Sequence, residues 1–264
     1  MPHRRMGMLA LAATASLVLA GCGGTQPAPP AAAGDAVTGE VTVFAAASLT
    51  ESFTEIGKAF EKANPGATVQ FNFAGSTTLA KQLTSGAPAG VFASANKEQM
   101  QKVVDAGLTA GQPTIFVANT LQIVVPKGNP AGITGLADFG KADLKIAICA
   151  KEVPCGVLSR QLFEKAGVTP QPDSLEQDVK AVLTKASLGE IDAGLVYRTD
   201  VASAGDSVEG IDFPEAKLET NQYPIVVMKN APNAAGAKAF VDFVLSAEGK
   251  AVMEKFGFIT NVPS

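Results

Sequence analysis

The sequence predicts an α/β protein with two lobes, each a mainly parallel sheet flanked by helices. Two observations indicate this fold class. After about residue 40, short apolar runs alternate with segments of helical period, and such alternation is typical of parallel sheets covered by helices. The rhythm also repeats in a second block, whose first strand ends at a strong turn, the Pro-Lys-Gly-Asn-Pro stretch at 126–130. The 264 residues, 47% of them hydrophobic, are enough for two such lobes.

The first block alternates three predicted strands, at 41–44, 69–73 and 91–93, with three helices. The helix after the first strand has the clearest pattern. Its apolar side chains recur every three or four residues and would form one face: Leu49, Phe53, Ile56 and Phe60. Asn64-Pro65-Gly66 ends this helix, and Gly86 and Gly107 close the next two.

The second block repeats the pattern, with strands predicted at 121–125, 144–149 and 193–197. Its two helices have apolar faces that end at Gly167 and Gly189. A late strand at 223–228 precedes two final helices, at 234–245 and 248–256. This ending would allow the chain to return and complete the first lobe, although the alternation alone supports the return only weakly.

The N-terminus has the pattern of a secretory signal. Positive residues at 3–5 precede an apolar stretch at 6–20 that is short for a membrane span. The following Leu19-Ala20-Gly21-Cys22 resembles the lipobox of bacterial lipoproteins. We therefore expect a signal peptide at 1–21, a lipidated Cys22 and a flexible tether over 22–39, which has almost no large apolar side chains. The alternative is an ordinary cleaved signal with an incidental cysteine.

Composition excludes several classes of function. Cleavage would remove Arg4 and Arg5 and leave 19 Lys and Arg against 25 Asp and Glu, a balance that argues against a nucleic-acid partner. His3 is the only histidine, so the mature chain has no histidine general base and no Ser-His-Asp set. Dinucleotide-binding and Walker motifs are absent as well. We expect a protein that is not an enzyme and needs no cofactor.

Three junctions between a strand and a helix share one chemistry. Ser48, the Gly75-Ser76 pair and the Cys155-Gly156 pair each place small or hydroxylic residues where a helix begins. Helix N-termini offer free backbone N–H groups and the positive end of the helix dipole, and small residues let an anion approach them. The alternative for Ser48 is a capping box with Glu51. Because only Arg160 and Arg198 remain after cleavage, an arginine-clamped site has few candidates.

A family resemblance runs through these junctions. The strings TVFAAASLTESF, FAGSTTLAKQL, GAPAGVFASAN, VPCG, GLVYRTD and KAVMEKFGF occur in order along residues 40–260. Together they resemble the periplasmic molybdate-binding proteins of ABC transporters. The resemblance implies a type II periplasmic binding protein fold with a ligand cleft between its lobes. It also implies the return of the chain, with lobe 1 at 40–118 and 225–264 and lobe 2 at 119–224.

The resemblance also implies a set of oxyanion contacts. Hydroxyl groups would come from Ser48, Ser76 and Tyr197, and backbone N–H groups from Ser48, Ser76, Cys155 and Val179. Two positions depart from the family pattern. Gly90 replaces an acidic residue that is common there, and Cys155 replaces an alanine. For Tyr197 the alternative is a core tyrosine satisfied by a neighbour, and we interpret Asp178 and Asp200 as cap or surface carboxylates.

The expected ligand is molybdate or tungstate, bound by a monomer that is lipid-anchored outside the cell membrane and serves a membrane permease. Sulfate and phosphate are alternatives within this fold. Phosphate keeps a proton and is best bound with an acceptor carboxylate. Ferric ion would need paired tyrosines, whereas Tyr197 and Tyr223 lie in different motifs. An extracytoplasmic enzyme with a serine or cysteine nucleophile, or an interaction module without a small ligand, are the alternatives from other classes.

A disulfide between Cys149 and Cys155 is expected. They are the only cysteines left once Cys22 is acylated, and the compartment is oxidising. The bridge would pin the loop that carries the Cys155 N–H group. Two buried thiols are the alternative.

Overall fold

The computed structural model describes residues 36–262, and within this range the chain forms two five-stranded sheets flanked by helices. The predicted signal peptide, Cys22 and most of the predicted tether lie outside the described residues. In the described part, no helix has both the length and the apolar character needed to cross a membrane.

The first seven elements follow the predicted alternation and add one strand at the end. They are β1 (Thr38–Ala46), α1 (Thr50–Ala63), β2 (Gly66–Ala74), α2 (Ser76–Thr84), β3 (Val91–Ala93), α3 (Lys97–Asp105) and β4 (Thr114–Asn119). A short 3-10 turn, Ala47–Leu49, lies between β1 and α1. Because β1 pairs with β2 from Thr38 onward, the last residues of the predicted tether belong to the sheet.

The second block contains β5 (Leu121–Pro126), β6 (Ile146–Cys149), α4 (Pro154–Ala166), β7 (Ser174–Glu176), α5 (Val179–Ser187), β8 (Ala193–Tyr197), α6 (Arg198–Ala204) and β9 (Val208–Ile211). The chain ends with β10 (Asn221–Val227), α7 (Ala234–Leu245) and α8 (Ala247–Lys255). The sequence pattern did not predict β4, β7, α6 or β9.

The two sheets have equivalent topologies. The first has the strand order β2-β1-β3-β10-β4 and the second β7-β6-β8-β5-β9. In each sheet one strand, β10 or β5, is antiparallel to both of its neighbours, so the other four strands share one direction. Each antiparallel strand is the first strand after a crossing. The chain crosses to the second sheet between β4 and β5 and returns to the first sheet between β9 and β10. The predicted two-lobed, mainly parallel α/β fold is confirmed.

The returning strand starts earlier than the predicted lobe boundary at residue 225. Asn221 pairs with Asn119, and Tyr223 pairs with Val117, in the antiparallel ladder between β10 and β4. The first residues of β10 therefore belong to the first sheet. The reason is pairing across the sheet, which the apolar pattern of the segment does not reveal.

The core of the first lobe joins both ends of the chain. Phe53 and Phe60 of α1 are fully buried, and their rings lie 6.0 and 5.4 Å from the ring of Phe240 in α7. Edge-to-face contacts at such distances are favourable, and each buried aromatic side chain removes a large apolar area from water. The predicted apolar face of α1 thus packs against the C-terminal helix.

Candidate functional site

A pocket lies between the two sheets, and all five predicted oxyanion-binding residues line it. Ser48 follows β1 and Ser76 starts α2, both in the first lobe. Cys155 and Val179 lie in the first turns of α4 and α5, and Tyr197 ends β8, all in the second lobe. The structure brings these residues together from separate elements. Their role as ligands to an anion stays a prediction.

Helix N-termini surround this pocket. The N-cap residues of α2 and α4, Gly75 and Val153, make no side-chain capping hydrogen bond, and neither does the N-cap of the 3-10 turn. The first N–H groups of a helix have no partner within the helix, so these groups are available to a ligand. At α5, the Asp178 side chain accepts from the Ala181 N–H at 2.9 Å, which leaves the Val179 N–H group outside this cap.

Ser48 does not cap a helix, so the capping-box alternative is wrong. The chain passes through the 3-10 turn before α1 begins at Thr50, and Ser48 lies inside this turn rather than at the N-cap. Its Oγ instead lies 2.9 Å from the Tyr223 hydroxyl, in a buried hydrogen bond. Tyr223 comes from β10, and the sequence did not predict its contact with Ser48.

The other two pocket hydroxyls, those of Ser76 and Tyr197, also accept hydrogen bonds from neighbouring residues. The Ala95 N–H group donates to Ser76 Oγ at 3.0 Å, and Asn221 Nδ2 donates to the Tyr197 hydroxyl at 2.6 Å. Burial raises the pKa of Tyr197 well above the usual value for a phenol, so this hydroxyl keeps its proton. Asn221 was missed for the same reason as Tyr223, because nothing local in the sequence connects β10 with the end of β8.

The lining is nearly free of charge. Among the described residues that line the pocket, none is lysine or arginine, and Asp178 is the one carboxylate. Asp178 serves as the N-cap of α5, as the sequence suggested. A small anion in this pocket would meet neutral hydroxyl and backbone donors.

Cys149 and Cys155 form a disulfide, which confirms the predicted bridge. It ties the end of β6 to the first turn of α4, where Cys155 lines the pocket. Gly156 packs tightly beside it, because a Cβ atom at this position would lie 2.0 Å from the Ala150 carbonyl oxygen. The loop between the two cysteines is therefore fixed both by the bridge and by close backbone packing.

Polar contacts join the two lobes at the mouth of the pocket. Thr77 Oγ1 and Gln99 Nε2, both from the first lobe, donate to the Glu152 carbonyl oxygen at 2.9 Å. Gly75 also lies against the second lobe, since a Cβ atom there would be 2.2 Å from the Gln177 carbonyl oxygen. The two lobes thus contact each other directly, next to residues that line the pocket.

An ion pair also joins the two lobes. Lys180 Nζ of α5 lies 2.9 Å from both carboxylate oxygens of Glu51 in α1 and 3.0 Å from Asp200 Oδ1. Asp200 is fully buried, and its Oδ2 accepts from the Tyr197 N–H group at the start of α6. Burial raises the pKa of Asp200 to about 6, against the opposing effect of Lys180. Asp200 therefore caps the start of α6. The sequence suggested either a cap or a surface carboxylate, and the buried side chain excludes the surface position.

Gly90, the other departure from the family pattern, is remote from the pocket lining. A Cβ atom there would lie 3.2 Å from the Cβ of Ala237 in α7 and 3.2 Å from the Thr42 carbonyl oxygen. A larger residue at this position would press against the packing of α7 on β1.

Comparisons with known proteins found similar sequences and folds. The model of the family described as bacterial extracellular solute-binding protein matches residues 41–259. The chain is 43% identical over 240 residues to the molybdate-binding protein ModA of Mycobacterium tuberculosis, covering 91% of this chain and 92% of the relative. It is 34% identical over 246 residues to the molybdate-binding protein ModA of Escherichia coli, covering 86% and 93%.

A solved structure supports the fold. The periplasmic molybdate-binding protein of Azotobacter vinelandii superposes with a TM-score of 0.72 at 19% identity, covering 85% of this chain and all of the other. The similarity therefore extends over both lobes.

Proposed function

This chain belongs to the family of bacterial extracellular solute-binding proteins, and from that premise we propose that it captures molybdate outside the cytoplasmic membrane and delivers it to an ABC transporter. The family consists of transport proteins that bind a solute, rather than enzymes. The relatives that are named molybdate-binding proteins match both lobes of the chain. Tungstate, which has the same charge and shape, is the second ligand we propose.

The observation that carries this proposal is the convergence of neutral donors on one small pocket. Three hydroxyls and the N-termini of several helices face it, without a cation in the lining. A fully ionised tetrahedral oxyanion needs donors on every oxygen and no acceptor, and such a set provides them. Hydrogen bonds to a charged group contribute about 1.5–3 kcal/mol each. Five to seven of them are consistent with a sub-micromolar complex, which needs about −8 kcal/mol or better.

The ligand would contact both lobes. Ser48 and Ser76 belong to the first lobe, and Cys155, Val179 and Tyr197 to the second. Only a closed cleft satisfies both sets of contacts, so ligand binding would favour the closed form, which the transporter then recognises.

Titration calorimetry with molybdate, tungstate, sulfate and phosphate tests the ligand. We expect molybdate and tungstate to bind with sub-micromolar dissociation constants and sulfate and phosphate to bind much more weakly. A protein that prefers sulfate would have the proposed fold but a different ligand, and one that binds none of the four would contradict the proposal.

Single variants test the site. Ser48→Ala and Tyr197→Phe each remove one hydroxyl, and each should weaken molybdate binding by roughly 10- to 150-fold, equal to about 1.5–3 kcal/mol. Ser52→Ala is a matched control, because Ser52 is a buried serine whose Oγ donates to the Leu49 carbonyl oxygen and does not line the pocket. If both site variants bind like the parent, these residues are not ligands.

We also propose that the protein is a monomer anchored to the outer face of the membrane through a lipid on Cys22. The support is the lipobox-like sequence after the apolar segment. Mass spectrometry of membrane-extracted protein should find a diacylglyceryl group on Cys22. A mature protein that begins elsewhere would contradict this anchor.

A further inference from the structure

The segment that the disulfide closes, residues 149–155 and here called the cystine loop, contacts both the pocket and the first lobe. Val153, Pro154 and Cys155 line the pocket, and the carbonyl oxygens of Glu152 and Pro154 accept hydrogen bonds from the first lobe. We propose that the disulfide holds the cystine loop as a redox-sensitive latch for the first lobe, so that tight capture of the ligand depends on the oxidised cysteine pair. This inference rests on the proposed function and concerns how the bound state is kept.

Three donors of the first lobe bind the cystine loop. Thr77 Oγ1 from α2 and Gln99 Nε2 from α3 both lie 2.9 Å from the Glu152 carbonyl oxygen. Asn221 Nδ2 from β10 lies 3.1 Å from the Pro154 carbonyl oxygen. A backbone carbonyl can only accept, so the first lobe is the donor in each contact. Three separate elements of the first lobe therefore dock on this one loop.

The part of the cystine loop that accepts two of these bonds is exposed. On either side of it, the Ala150 N–H group donates to the Glu176 carbonyl oxygen at 2.8 Å, and the Val153 N–H group donates to the Ala150 carbonyl oxygen at 3.0 Å. Lys151 and Glu152, between these anchors, are exposed. A cross-link restricts the conformations of the chain that it closes, whereas a loop without one must be ordered before it can dock. The bridge thus keeps the acceptors in place for the first lobe.

Reduction of the bridge is a two-electron step that needs a dithiol. A thiolate of the dithiol attacks one sulfur, which breaks the bond between Cys149 and Cys155 and forms a mixed disulfide. The second thiol of the reagent then attacks the mixed disulfide and releases the other cysteine. The protein gains two electrons and two protons, and the dithiol becomes a disulfide. Because disulfides form and persist in oxidising compartments, the latch would make tight capture begin only after export.

Titration of molybdate into bridged and reduced protein tests the latch. Parent protein is reduced with dithiothreitol, which is removed without access to air so that it cannot bind the oxyanion. Cys149→Ala breaks the bridge without a reductant and keeps Cys155, the member of the pair that lines the pocket. We expect both forms to bind molybdate about tenfold more weakly than the bridged parent, mainly through faster dissociation, because the closed form loses its docking contacts.

Phe139→Leu separates the latch from a general loss of stability. Phe139 is fully buried in the second lobe, where its ring lies 5.4 Å from that of Phe163, and it does not line the pocket. This variant should melt at a lower temperature, as the unbridged protein does, yet bind molybdate like the parent. All titrations are made well below the melting temperatures, so a purely structural role of the bridge would leave the affinity unchanged.

A double-mutant cycle tests whether the bridge acts through the donors of the first lobe. Thr77→Val combined with Gln99→Met removes both donors to the Glu152 carbonyl oxygen with little change in side-chain size. In the bridged protein this pair of substitutions should weaken molybdate binding by about fivefold. In Cys149→Ala it should add little, because the loop already docks poorly. Thr84→Val is a matched control, since Thr84 Oγ1 donates only to carbonyl oxygens of its own helix, α2.

A measurement without ligand keeps the inference separate from the proposed function. By linkage, the lobe contacts that the bridge favours must in turn favour the bridge. Thr77→Val combined with Gln99→Met should therefore shift the equilibrium with reduced and oxidised dithiothreitol toward the two protein thiols. Thr84→Val should leave this equilibrium where it is in the parent.

The outcomes are distinct. Equal molybdate affinity in the bridged parent, the reduced parent and Cys149→Ala would overturn the inference, because the packing of Gly156 against the Ala150 carbonyl oxygen would then hold the loop by itself. Additive effects in the cycle, or an unchanged equilibrium with dithiothreitol, would overturn it as well. A bridged parent that binds no molybdate, tungstate, sulfate or phosphate would refute the proposed function, and the equilibrium with dithiothreitol would then decide the inference alone.

Discussion

The ion pair between Glu51 and Lys180 provides a direct test of cleft closure. Glu51 belongs to α1 of the first lobe and Lys180 to α5 of the second, and Lys180 Nζ lies 2.9 Å from both carboxylate oxygens. Asp200, the other partner of Lys180, belongs to the same lobe as the lysine. When the cleft opens, Lys180 would keep Asp200 and lose Glu51. Glu51→Gln should therefore weaken the closed form and leave each lobe intact.

The size of the effect follows from the exposure of the pair. The Glu51 side chain is 37% exposed and that of Lys180 23%, so water screens much of their attraction. Exposed pairs contribute about 0.2–1 kcal/mol, and contact with both oxygens places this pair near the upper limit. A loss of about 1 kcal/mol corresponds to about a fivefold change in the equilibrium between open and closed forms. Molybdate affinity should fall by up to the same factor.

Glu55→Gln is a closely matched control. Glu55 lies one turn further along α1, its side chain is also 37% exposed, and its carboxylate contacts Lys255 at 2.6 Å. Lys255 belongs to α8, which packs on α1 within the first lobe, so this pair does not change when the cleft opens. Calorimetry should show weaker binding for Glu51→Gln alone, with the difference shrinking in about 1 M salt. Equal affinities in the two variants would refute closure through this pair.

Three further outcomes can be checked. Replacing Cys149 and Cys155 by serine should lower the free energy of unfolding by only about 2 kcal/mol, because the loop that the bridge closes is short. Thermal melts of parent and variant under non-reducing conditions check this, and equal melting temperatures would contradict it. Since the pKa of Asp200 is raised to about 6, its folded form keeps a proton that the unfolded chain releases near pH 4. The free energy of unfolding of the parent should therefore fall by about 2–3 kcal/mol, relative to that of Asp200→Asn, as the pH rises from about 4 to about 6. Urea unfolding of both proteins over this range measures the difference, and a difference that does not change with pH would contradict this. Ser76→Ala should cost about 1–3 kcal/mol of stability in the ligand-free protein, because it leaves the buried Ala95 N–H group without a partner, and an unchanged melting temperature would count against this bond.

The strands that the sequence did not predict share a position in the fold. β4, β7 and β9 are all edge strands of their sheets. β7 and β9 contain three and four residues, and most of these side chains are exposed or half-buried, so no apolar run marks them. β4 is more buried, but only Thr120 separates it from β5, and no turn signal divides the two. Local patterns therefore miss a strand that has no apolar run of its own or no turn signal at its end.

The same distinction applies to the pocket. Ser48, Ser76 and Cys155 could be predicted because each lies at a junction between a strand and a helix, where small and hydroxylic residues are a local signal, whereas Val179 and Tyr197 were predicted from the family resemblance. The residues that hold them have no such signal. Ser48 and Tyr223 are 175 positions apart, and Lys180 and Glu51 are 129 positions apart. The first contact exists only because the chain returns to the first sheet through β10, and the second because the two lobes meet.

The residues that contact the pocket hydroxyls lie close to the points where the chain crosses between the sheets. Asn119 ends β4, just before the first crossing between the sheets, and Asn221 and Tyr223 start β10, just after the second crossing. Asn221 spans the lobes directly, since it belongs to a strand of the first sheet and donates to Tyr197 and Pro154 of the second lobe. Opening the cleft at these crossings would disturb the contacts that orient the hydroxyls. The hydroxyls that line the pocket would therefore have all of these partners only in the closed form.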